Sequence, residues 1–149
     1  MIYALNFVYG FMCSVGFSVL FNVPQKSVAK AGICGGTGWA VYYTMTQLNL
    51  SVVISTLIAS LIIAILGEYF AVLDKQPATL YLVPGIIPLV PGFGIYYTML
   101  SLLEQNYDNA MRQGIEAILI AVLIAASLTI VLSVNTYRKK RQDYLSSRQ

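Results

Sequence analysis

The side chains that usually carry enzymatic chemistry are nearly absent from this chain. None of its 149 residues is a histidine, and its two cysteines, Cys13 and Cys34, sit inside apolar runs as small hydrophobes. That removes the commonest general base, the neutral-pH switch and most zinc sites. There is no Gly-x-Ser-x-Gly, no Cys-x-x-Cys and no pair of intramembrane aspartates. An enzyme is therefore not expected, and neither a metal nor a cofactor. What remains able to do chemistry is exposed backbone. Residues 84–92 read Pro84-Gly85-Ile86-Ile87-Pro88-Leu89-Val90-Pro91-Gly92. Each proline removes a donor and disfavours helix before it, so the nine residues are predicted to interrupt a helix. In lipid each unpaired backbone group costs several kcal/mol, so a break persists only where protein or a wet cavity satisfies it. Half-helix N-termini then face anionic groups, and freed carbonyls coordinate cations. Pro84, Gly85, Pro88, Pro91 and Gly92 are accordingly predicted to lie on a substrate or ion path.

Further candidates are few. Glu68 follows a long apolar run, about 9 Å from the centre of its helix toward the cytoplasmic side. An intramembrane carboxylate is costly and usually faces a cavity or partner. Glu68 is thus a candidate for proton coupling, the alternative being an interfacial carboxylate near Lys75. Asn22 neighbours Pro24 at the cytoplasmic end of the first helix, and Tyr96 and Tyr97 follow the interrupted motif by one turn. These three are candidate path residues. Gly32, Gly35 and Gly36 form a small-residue face suited to close helix packing. Asn6, Thr37, Thr44, Gln47 and Asn49 suit interhelical hydrogen bonds. Glu116 reads as a solvated charge at the outer interface, and Glu104 and Asp108 as loop charges.

The elements that must position these residues follow from the distribution of charge. Only 10% of residues are charged and 58% are hydrophobic, with mean hydropathy +0.72. Soluble domains carry about 25% charged residues. Residues 1–25, 31–67, 76–103 and 117–137 hold no Asp, Glu, Lys or Arg. A spanning helix needs about 20 apolar residues, so the expected class is an all-α polytopic membrane protein in contact with the lipid bilayer. The run 31–67 is too long for one crossing and divides near Asn49. The expected segments are Ile2 to Val23, Ala31 to Asn49, Leu50 to Leu73, a fourth interrupted by the proline-glycine stretch and resuming at Phe93 to Leu103, and Ile115 to Asn135. With five crossings, eight basic residues fall on one side and Arg112 alone on the other. With four crossings the split is four against five. The positive-inside rule favours five crossings, with the N-terminus outside and the C-terminus cytoplasmic. Residues 1–137 then form one transmembrane domain and 138–149 a basic cytoplasmic tail opened by Arg138-Lys139-Lys140-Arg141. That run reads as a membrane anchor rather than a nucleic-acid stripe. The N-terminus has no basic n-region, so the first helix is expected to be retained.

The proline-glycine motif, together with Phe21-Asn22-Val23-Pro24, resembles the threonine/serine exporter family, specifically its small membrane-only half, over essentially the whole chain. The resemblance implies secondary export of a small polar metabolite from a prokaryotic cytoplasmic membrane: threonine and serine in one branch, dicarboxylates such as succinate in another. It also implies a larger partner subunit with membrane helices and a cytoplasmic segment, and assembly as a homo- or hetero-oligomer. The competing expectation is a scaffold subunit that transports nothing itself.

Overall fold

The computed structural model describes residues 2–146, with side chains described as far as residue 134. Among the described residues every regular element is helical. These are α1 (Ile2–Leu20), α2 (Gln25–Gln47), α3 (Val52–Asp74), α4 (Thr79–Ile86), a single 3-10 turn at Ile87–Leu89, α5 (Gly92–Leu103) and α6 (Tyr107–Ser146).

Short, sharp turns join these helices, and they share a device. Asn22, Asn49, Lys75 and Gln105 all adopt left-handed backbone, with φ between 52° and 60°. Each lets the next residue's amide reach back to a carbonyl five residues earlier: Val23 to Ser18 at 2.9 Å, Leu50 to Met45 at 3.2 Å, Gln76 to Ala71 at 3.0 Å and Asn106 to Ser101 at 2.8 Å. This is the Schellman closure, which satisfies carbonyls that a helix end would leave bare. Asparagine tolerates the conformation, whereas lysine and glutamine adopt it at a cost of about 1–2 kcal/mol. At the start of α3, Ser51 Oγ accepts from the Ile54 amide at 3.3 Å, a standard N-cap.

Three helices are long and apolar enough to cross a membrane: Ile2–Leu20, Val52–Asp74 and Tyr107–Val134. A fourth crossing is counted if Thr79–Leu89 and Gly92–Leu103 form one span bent by 46°. The chain is therefore a multi-pass membrane protein. Helix α2 is long enough, with 23 residues, but is the least apolar of the early helices, and the reason is its position. It packs against α1, α3 and α4 and buries Ser27, Ala31, Gly32, Cys34, Gly35, Gly36 and Gly38. A central helix faces protein rather than lipid, so small residues serve it better than large apolar ones.

Several boundaries differ from those read in the sequence. Helix α2 begins at Gln25 rather than near Ala31, because Pro24 occupies its N-cap position with extended ψ, and Lys26 and Lys30 therefore ride on its first turns. Pro84 and Gly85 do not interrupt a helix, contrary to expectation. They lie inside α4, with Pro84 fully buried, and proline's fixed φ is compatible with helix when neighbouring segments pack around it. The interruption falls later, at the 3-10 turn and Val90–Pro91. Helix α6 runs for 40 residues, about 60 Å, so the backbone of the basic run continues the last helix beyond its apolar part, Tyr107–Val134. The side chains of that run, and residues 147–149, lie outside the described residues.

Candidate functional site

Glycines set how closely the helices approach. A Cβ on Gly35 would land on Ser14 Oγ of α1 and come within 3.2 Å of the Gly85 carbonyl oxygen of α4. A Cβ on Gly36 would meet Phe7 at 2.9 Å, and one on Gly32 would meet Phe11 at 2.7 Å. Gly85 packs between α2 and α3, where its Cβ would meet Cys34 Cβ at 3.1 Å and Ile63 at 3.3 Å. Gly32, Gly35, Gly36, Pro84 and Gly85 thus sit in the closely packed centre of the bundle. Ser14 Oγ and Ser55 Oγ are buried there without a hydrogen-bond partner, while Ser60 Oγ donates to Ser127 Oγ at 2.9 Å, joining α3 to α6.

At one end, a polar cluster ties three helix termini together. Lys30 near the start of α2 pairs with Asp74, the last residue of α3. The Tyr81 hydroxyl of α4 donates to the other Asp74 oxygen at 2.5 Å and lies 3.1 Å from Ser27 Oγ. Tyr81 is fully buried, and the Lys30 ammonium stands 5.8 Å from the Phe70 ring centroid.

Toward the other end lies a groove of about 670 Å³. The bend forms one wall, with Pro88, Leu89, Val90, Pro91, Gly92 and Phe93, followed by Gly94 and Tyr96 of α5. Opposite are Trp39 and Tyr42 of α2 and Val52 and Thr56 of α3. Helix α6 contributes Gln113, Glu116, Ala117 and Ile120, one helical stripe by spacing. Helix α5 reaches α6 closely here, since a Cβ on Gly94 would stand 3.2 Å from Ala117 Cβ. Trp39 stacks on Tyr42 with centroids 5.2 Å apart, and its Nε1 donates to Asn6 Oδ1 at 3.2 Å.

Of the path residues named from the sequence, the groove gathers Pro88, Pro91, Gly92 and Tyr96. Tyr97 contacts Tyr96 edge-on at 5.3 Å but does not line it. Asn22 is exposed in the α1–α2 turn, outside the groove, with left-handed backbone. Glu68 is half-buried on α3, outside the groove, next to Gly67, which packs on Leu82. Sequence reasoning did not single out Trp39 or Thr56, and it read Glu116 as a solvated interfacial charge; all three line the groove. The signal available was the 113-116-117-120 spacing at the start of an otherwise apolar helix. Among the described residues no group of three His, Cys, Asp or Glu could hold a metal ion.

The family model described as Threonine/Serine exporter, ThrE, matches residues 6–134. An uncharacterised protein of Haemophilus influenzae is 25% identical over 125 residues, which cover 81% of this chain and 42% of that protein. The chain thus spans less than half the length of this relative. No solved structure matches it. With 129 consecutive residues inside the match, the chain belongs to the threonine/serine exporter family, a family of transporters and not of enzymes.

Proposed function

We propose that this chain is the small subunit of a secondary exporter of small polar metabolites, threonine and serine or a dicarboxylate such as succinate, and that the groove at the bend belongs to its substrate path. The observation that carries this reading is the groove itself. A bend within an apolar helix pair is costly in lipid unless it lines a cavity, and Pro88, Pro91 and Gly92 do line one. Helix α5 also begins there, and its first amides have no helical acceptor four residues back. The reading takes the bent pair as one crossing and α2 as another, giving five, with the N-terminus outside and the basic C-terminal run in the cytoplasm of a prokaryotic cell. It is supported by the Lys30–Asp74–Tyr81 cluster, which draws one end of α2, α3 and α4 together as alternating crossings require. A larger partner subunit would complete the translocation path. In support, α5 buries only Ser101 among its residues while Phe93 and Leu103 are more than four-fifths exposed.

The test is counterflow of labelled threonine and succinate in vesicles carrying both subunits. Pro91→Ala should lower exchange about tenfold while the complex still assembles, because it relaxes the bend without filling the packed centre. Full exchange in that variant would remove the bend from the mechanism. Gly85→Leu is unsuitable for this purpose, since it would collide with Cys34 and Ile63. Proton coupling is assigned to Glu68. Glu68→Gln should abolish export driven by a pH gradient and leave counterflow intact. Unchanged gradient-driven export would exclude Glu68.

A further inference from the structure

We infer that Glu116 receives the ammonium group of the transported ligand, so that the groove selects small amines, amino acids included, over dicarboxylates. This rests on reading the groove as the substrate site and adds which chemistry the site accepts. Among the described residues that line the groove, Glu116, which is exposed, is the sole one charged at neutral pH, and no lysine or arginine lines it. No ion pair engages it among the described residues. A carboxylate beside an apolar medium is costly unless a cation offsets it, and a ligand ammonium is such a cation.

The surrounding side chains favour the same partner. Trp39, Tyr42 and Tyr96 present aromatic rings to the groove, and ring faces attract ammonium groups within about 6 Å. Gln113, one turn before Glu116, and Thr56 across the groove add neutral hydrogen-bonding groups suited to a hydroxyl or amide. A dicarboxylate entering the same space would meet the Glu116 charge with no cation among the described lining residues to oppose it.

Trp39 is the chain's only tryptophan, so its emission reports binding independently of transport. The full-length chain in detergent would be titrated with L-threonine, L-threonine methyl ester, N-acetyl-L-threonine and succinate. The first two, which carry the ammonium, should change the emission saturably, and the last two should not. Glu116→Gln should weaken both responses at least tenfold with helicity unchanged, Glu116→Asp should restore part of the affinity, and Glu104→Gln should bind like the parent. Wild-type affinity in Glu116→Gln, equal binding of N-acetyl-L-threonine, or a Trp39 signal silent to every amine would each overturn the assignment. Amine-specific binding without counterflow would instead sink the export reading and leave Glu116 in place.

Discussion

Gly35→Ala will destabilise the chain more than an alanine at any glycine where the Cβ meets open space. The added methyl would land on Ser14 Oγ, 2.7 Å from Ser14 Cβ and 3.2 Å from the Gly85 carbonyl oxygen. Ser14 is short and fully buried, so it has no flexible end to swing aside, and the helices themselves must part. Overpacking a well-packed interior costs about 1–3 kcal/mol. The value here should reach the upper end, because separating α1 from α2 at Gly35 also loosens Gly10, whose Cβ would stand 2.7 Å from the Gly35 carbonyl oxygen. Gly16→Ala supplies the control. Nothing lies within 4 Å of a Cβ there, and alanine in a helix is favoured over glycine by about 0.5–1 kcal/mol. Thermal melts of the purified variants in detergent should therefore move in opposite directions. Ser14→Gly combined with Gly35→Ala should recover much of the loss. Equal melting of Gly35→Ala and Gly16→Ala would refute the close approach.

Tyr81→Ala is the second large effect. Tyr81 is the largest of the fully buried side chains, packed against Phe70 with ring centroids 6.1 Å apart. Truncating a buried aromatic side chain costs about 3–5 kcal/mol through lost transfer energy and the cavity left behind. Tyr81→Phe keeps the ring and isolates the hydroxyl, which bridges Asp74 and Ser27. It should destabilise clearly less than alanine. Lys30→Met and Asp74→Asn each leave the other charge half-buried and unpaired, so each should lower the melting temperature, and the double variant should lose less than the sum. Strict additivity would mean that the two side chains do not interact.

How much of this was legible in the sequence varies from one residue to the next. The charge-free runs announced membrane helices, since a charge inside hydrocarbon is penalised wherever the chain runs. The glycines of α2 announced close packing by their spacing, but not that Ser14 of α1 and Gly85 of α4 both come within reach of Gly35. Pro84 reads in sequence like Pro88 and Pro91, yet it lies in a helix and they lie at a bend. Proline's effect depends on whether neighbouring segments compensate for the donor it lacks. Asn22 stood out in the sequence because it is polar beside a proline, and the structure adds that it closes the α1–α2 turn with a left-handed φ. Glu116 read as a solvated charge at a helix start, and it is exposed in the structure, but its place on the groove wall was not legible.

The sequence by itself determined what can be read one segment at a time: a helical membrane protein, a chain without histidine, and a proline-rich stretch that bends the backbone near Pro91. Each follows from local composition, because burial in lipid penalises charge and unpaired backbone irrespective of neighbours. Only the tertiary structure decided which residues share a space. It brought Trp39, Thr56, Pro91 and Glu116 around one groove and Lys30, Asp74 and Tyr81 into one cluster. Those residues are 17 or more positions apart within the groove and up to 51 apart within the cluster. Contacts across such separations are set by helix packing, where a missing side chain at Gly35 or Gly94 fixes the approach, and no local pattern encodes that.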